Sequence, residues 1–279
     1  MKPLRQRWLR AVAGAWFGVL VSTTAATAQV NPDSLRNVYR LPVPTEEQSS
    51  TVVLEPAVTA ILTPGSGGRS GVDIWAGGTY VPRVRHEDGG RDGNAVVGLD
   101  FGNARRLVGI DVDVGFYSTM REGLFKRMGL NIELYRYVPY DVLLTVGWEN
   151  IWKRGYSDIG ASRYIALGRW FEVRPGATWF RWIGLTAGAG DGRFVSEGDW
   201  LAGVNRINWF GAVRFAVVDP VTLTLDWQGD DLTIAATLQP FRRLDFWITP
   251  AITDATGRIS TGARFIISAG YSHQIQLPF

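Results

Sequence analysis

Residues 263–279 read ARFIISAGYSHQIQLPF, and their alternation decides the fold. Phe265, Ile267, Ala269, Tyr271, His273, Ile275, Leu277 and Phe279 share one parity, while Ser268, Gly270, Ser272, Gln274 and Gln276 share the other. A period of two puts these sets on opposite faces of a β-strand, one apolar and one polar. Ser272 and His273 therefore point apart and do not form a nucleophile and base pair. His86 is the only other histidine, so no enzymatic site of that kind is expected.

The same texture runs upstream. Val97, Leu99 and Phe101 oppose Gly98, Asp100 and Gly102; Val108, Ile110, Val112, Val114 and Phe116 oppose Gly109, Asp111, Asp113 and Gly115. Leu130, Ile132 and Leu134 oppose Asn131 and Glu133, and Val146 and Trp148 oppose Thr145 and Glu149. Leu223, Leu225 and Trp227 oppose Thr224 and Asp226, and Phe246 and Ile248 oppose Asp245 and Trp247. With weaker candidates at 72–80, 163–173, 182–189 and 207–218, about twelve strands are expected, ten and fourteen being the alternatives. Short connections (103–106, 138–139, 174–177, 219–220, 240–243) alternate with longer polar ones, the turn at 229–231 excepted. Short turns alternating with long loops and an even strand number predict an all-β, transmembrane, antiparallel up-and-down β-barrel.

A strand that ends on an aromatic residue after apolar residues at every second position resembles the closing strand of bacterial outer-membrane β-barrel proteins; Pro278 departs from that pattern. The resemblance implies that Tyr271, Ile275, Leu277 and Phe279 face lipid and that the chain end is read by the barrel-assembly machinery. Three further segments, AVVGLDFGNARRLVGIDVDV (95–114), LTLDWQGDDLTIAATLQP (223–240) and LDFWITPAITDATGR (244–258), resemble a group of outer-membrane barrels that includes exopolysaccharide-associated ones. That likeness implies a role in the envelope or in polysaccharide export, with polysaccharide as a partner. It carries no functional residue to a position here.

Residues 1–28 read as a secretory signal, with Lys2, Arg5, Arg7 and Arg10 ahead of an apolar run and Ala26-Thr27-Ala28 as the cleavage site. The apolar run is about half the ~20 residues a spanning helix needs. Removing the signal takes four of 29 basic residues and none of 26 acidic ones, leaving 25 against 26, so nucleic acid is not an expected partner. Residues 29–70, rich in Pro, Ser, Thr and Gly, read as an irregular periplasmic leader, and 71–279 as the barrel.

Aromatic residues near the short turns (Tyr137, Tyr140, Trp170, Phe171, Trp179, Phe241, Phe279) and near the long loops (Tyr80, Tyr117, Trp148, Trp152, Tyr156, Trp227) predict two interfacial belts. Asp111 and Asp113 have the form of a metal-binding pair, but consecutive inward positions neutralised by arginines such as Arg214 account for them, and no metal or cofactor is expected. The loop acids Glu87, Asp88 and Asp92 match no Ca²⁺-loop spacing. The lumen-facing charges are Asp100, Asp111, Asp113, Glu133, Glu149, Arg214, Asp226 and Asp245. They fit a passive or polysaccharide-linked channel in the outer membrane, or a filled structural or binding barrel whose charges pair with one another, and least an envelope enzyme.

Overall fold

The computed structural model describes residues 70–84, 90–155, 160–218, 220–241, 244–258 and 262–275. The expected signal, the leader up to residue 69, His86, Tyr156, Leu277 and Phe279 lie outside them. Twelve strands fill the described chain: β1 (Ser70–Val81), β2 (Asp92–Asn103), β3 (Gly109–Tyr117), β4 (Arg127–Val138), β5 (Val142–Arg154), β6 (Ser162–Glu172), β7 (Trp179–Gly190), β8 (Asn208–Val218), β9 (Val221–Gln228), β10 (Asp231–Leu238), β11 (Asp245–Thr253) and β12 (Arg264–Ile275). Each pairs antiparallel with the next, and β12 returns to β1 in continuous register from Val72↔Ile275 to Tyr80↔Ile267, closing the barrel. Closure leaves no edge strand, so every ladder finds a partner.

Parity sorts the side chains as the alternation requires. Val97, Leu99, Leu134, Val146, Ile165, Leu185, Leu223, Ile234 and Phe265 lie exposed on the outer face. Ile74 and Leu167 are each 51% exposed there, while Asp111, Asp113, Thr145, Arg214, Thr224 and Asp226 are buried on the inner one. A soluble protein buries its large aliphatic side chains; this one displays them all round a closed sheet.

The inner face is built on paired glycines and rings. Trp75 stands directly opposite Gly98, Tyr135 opposite Gly109, Tyr164 opposite Gly147, Trp170 opposite Gly184, Phe210 opposite Gly188 and Trp247 opposite Gly270. In each pair a Cβ on the glycine would run into the ring or press hard against it. The ring lies over bare backbone, covering the gap a glycine leaves in a strand. Glycine on the polar face is thus a seat for a neighbouring ring, a more specific cause than the curvature of a narrow lumen.

Three register shifts interrupt the ladders, one of them in β8 between Ala216 and Val218. In β5 the register shifts by two residues beside Asn131, where Asn150 adopts φ 53°. Asn150 donates its N–H to Asn131 Oδ1 (2.7 Å) and accepts from the Tyr117 hydroxyl (3.0 Å), which holds the left-handed conformation that Asn tolerates. In β7 the shift falls between Trp179 and Trp182, with Phe180 at φ 49°.

Aromatic placement departs from the two-belt expectation at three residues. Tyr117, Tyr137 and Trp170 share the inward parity of Asp113, Glu133 and Gly168: Tyr117 hydrogen-bonds Asn150, Tyr137 packs on the Ala104–Tyr135–Leu143 cluster, and Trp170 covers Gly184. Nearness to a turn says nothing about face, whereas parity does. Phe171, Trp179, Phe180 and Phe241 remain exposed at the short-turn end, and Tyr80, Trp148, Trp152 and Trp209 at the long-loop end.

Candidate functional site

Register brings four carboxylates into one inward row. Asp73 pairs with Asp100, Asp100 with Asp111, and Asp111 with Glu133, so four adjacent strands each contribute an acid side by side. Asp113 stands one inward position further along β3. Like charges directly opposite one another are destabilising unless something offsets them. The offset comes from the seated rings. Trp75 Nε1 donates to Asp111 Oδ2 (2.8 Å), the Tyr135 hydroxyl to Asp100 and the Tyr164 hydroxyl to Glu133, while Asn131 Nδ2 donates to Asp113 Oδ1 (2.6 Å). The same side chains that cover Gly98, Gly109 and Gly147 therefore supply the donors.

These partners correct the expectation that arginines neutralise Asp111 and Asp113. Among the described residues, Asp111, Asp113 and Glu133 meet neutral donors and other acids, with no Lys or Arg in contact. Arg214 sits on β8, buried, and donates to Thr186 Oγ1 (2.8 Å), not to Asp113. Asp226 is buried on β9, and Asp245 is exposed at the short-turn end of β11. The wall from β9 to β11 is lined mainly by hydroxyls: Thr222, Thr224, Thr233 and Thr249 are buried there, and Thr237 and Thr249 share a hydrogen bond of 3.0 Å.

The long connection after β7 folds inward against β5, β6, β8 and the end of β9. Its 3₁₀ turn (Gly192–Phe194) is followed by the single-turn helix α1 (Glu197–Leu201), capped by Ser196 Oγ, which accepts the Asp199 N–H (3.2 Å). Phe194 is fully buried, stacked on Phe210 with centroids 4.2 Å apart and edge-on to Tyr164 at 5.6 Å. Arg193 Nε pairs with Glu149 at 2.7 Å, the two side chains 8% and 14% exposed, and its Nη1 donates to Gln228 Oε1 (3.1 Å). One arginine thereby ties β5, β9 and the loop together. The Glu197 N–H reaches Asp230 (3.1 Å) in the two-residue β9–β10 turn, and a Cβ at Gly229 would meet the carbonyls of Phe194 and Val195. The one short turn among the long loops lies where this connection packs.

Glu149 is thus the loop's anchor. Asp92 anchors the β3–β4 connection, accepting from the Gly93 and Met120 N–H groups and from Ser118 Oγ (2.6 Å). Asp191, in the GAGDG stretch, pairs with Arg163 at 2.6 Å. On β12, Tyr271 and Ile275 share the outer parity of Phe265 and Ile267, and Tyr271 pairs with Ala76 across the closure. The sequence reading missed Asp73, the six ring–glycine pairs and Arg193. The parity of Asp73 and Trp75 signalled the first two; nothing local marked Arg193.

No protein-family profile and no curated protein sequence matches the chain. Among solved structures it is similar to an outer membrane channel from Pseudomonas putida F1, with 10% sequence identity and a TM-score of 0.43, over 77% of this chain and 100% of that one. At that level no solute and no site residue carries across.

Proposed function

We propose that this chain is an outer-membrane channel of narrow bore whose acidic wall favours cations and whose long-loop mouth is restricted by the β7–β8 connection. The observation that carries the reading is the row Asp73–Asp100–Asp111–Glu133, inside a closed barrel that exposes aliphatic side chains on its outside. An apolar exterior suits lipid, and rings of carboxylates select for cations in other pores. A polysaccharide-linked form of the same proposal is supported by the resemblance of residues 95–114, 223–240 and 244–258 alone. The enzyme reading has no support in the placement of Ser272 and His273, which lie on opposite faces of β12.

A second reading has its own observation. Thr145 and Asp226 are each 0% exposed, which suits an interior filled by side chains, in a barrel that serves as scaffold or binding module. Planar-bilayer recording of refolded wild type, Asp111→Asn and Asp113→Asn separates the two. A channel shows cation-selective conductance that moves toward neutrality in both variants. A filled barrel conducts nothing in any of the three, and the substitutions alter only its urea midpoint.

A further inference from the structure

We propose that the short-turn end of β4–β6 binds the phosphodiester of an anionic phospholipid in the periplasmic leaflet, with Arg136 and Arg169 as its ligands; this rests on the membrane-barrel reading above. Both arginines have outward parity: Arg136 follows Leu134 on β4, and Arg169 lies between Leu167 and Phe171 on β6. Leu144 of β5 stands between Arg136 and Leu167, and Arg169 is one outward position nearer the turn. Strands are about 4.8 Å apart, so two arginines flanking one strand are on the order of 10 Å apart laterally and converge on a single phosphate.

Neither cation has a carboxylate partner among the described residues. The Arg169 Nε is buried without a hydrogen-bond acceptor, its guanidinium 4.7 Å over the Phe171 ring, and Arg136 is exposed. Arg181 is different, being paired with Glu172 at 2.5 Å. A guanidinium flanked by aliphatic side chains on a lipid-facing strand needs an anion at its own depth, because Arg costs on the order of 2–4 kcal/mol at the midplane and little at the interface. Arg174, stacked 4.2 Å over exposed Trp179, marks that interface just beyond the strand end. Short turns face the periplasm in bacterial barrels, so the anion is a phospholipid headgroup of the inner leaflet. The fork of a guanidinium suits a phosphate's oxygens.

The test is native mass spectrometry of the refolded barrel in detergent, with phosphatidylglycerol and phosphatidylcholine of matched acyl chains supplied together. Phosphatidylglycerol is expected to be retained in preference, and Arg136→Gln and Arg169→Gln to lower that preference by about fivefold each, as one surface cation does. Arg206→Gln, at the long-loop end, leaves it unchanged. Equal retention of the two lipids by wild type, an undiminished preference in the double variant, or displacement of the lipid by inorganic phosphate overturns the proposal. Heat-modifiable migration of each sample is read in parallel. Its loss in wild type refutes the barrel reading, whereas retained heat-modifiability without lipid preference refutes this site alone.

Discussion

At the scale of single residues, the inner face depends on glycine for a steric reason and on aromatic residues for a polar one. Gly98→Ala places a methyl group inside the Trp75 indole and displaces the ring that donates to Asp111. Overpacking of this kind costs roughly 1–3 kcal/mol. The urea midpoint of refolded Gly98→Ala is expected to fall accordingly, while Gly78→Ala, whose Cβ points outward and meets only the Asn94 carbonyl at 3.3 Å, stays near wild type. Equal midpoints for the two variants would contradict the seating of rings on glycine. Parity was legible residue by residue: Asp100, Asp111 and Asp113 alternate with apolar neighbours and share a strand face with Gly98, Gly109 and Gly115. Their partners were not legible. Which acid meets which donor depends on the stagger between strands, and a period of two is blind to stagger. Trp75 and Asp73 carried the inward parity openly, but in a stretch, 72–80, that reads only as a weaker strand candidate.

At the scale of elements, the β7–β8 connection and the closing strand carry the predictions. Glu149→Ala leaves Arg193 buried without its counter-charge, and breaking one partner of such a pair costs about 3–5 kcal/mol. The variant is expected to free the connection, seen as protease cleavage within residues 195–207 in the folded barrel and as larger conductance if the barrel conducts. Glu149→Ala with Arg193→Ala should recover part of the stability. A single variant as protease-resistant as wild type would show that the ion pair does not hold the mouth. On β12, Asp at Tyr271, Ile275 and Leu277, or deletion of Phe279, is expected to block insertion, read as loss of heat-modifiable protein in the membrane fraction. The twelve strands were legible because closed sheets repeat one simple pattern, and turn residues such as Asn103, whose Oδ1 accepts from Arg105 and Arg106 N–H, punctuate it. The inward loop was not. Residues 190–206 have no periodicity, and Phe194 is buried only because Tyr164 and Phe210, far away in sequence, face it.

At the scale of the whole molecule, the barrel separates an apolar outside from a polar inside, and that inversion of a soluble protein links fold to proposed function. The mature chain is expected to begin at Gln29 and to fractionate with the outer membrane; N-terminal sequencing of the heat-modifiable band checks both. Recovery as a soluble periplasmic monomer would refute the location. Outward charge is the severest perturbation, so Val112→Arg is expected to prevent folding at a cost of about 2–4 kcal/mol, while Asp113→Asn folds. The most direct measurement uses the absence of cysteine from the chain. Single cysteines placed in turn from residue 110 to residue 115 of β3, labelled with an environment-sensitive fluorophore and reconstituted in vesicles containing a lipid-borne quencher, report face by face. Strong quenching at 110, 112 and 114 and weak quenching at 111, 113 and 115 is the predicted result; quenching that fails to alternate, or that alternates with the opposite phase, contradicts a barrel with its carboxylates inside.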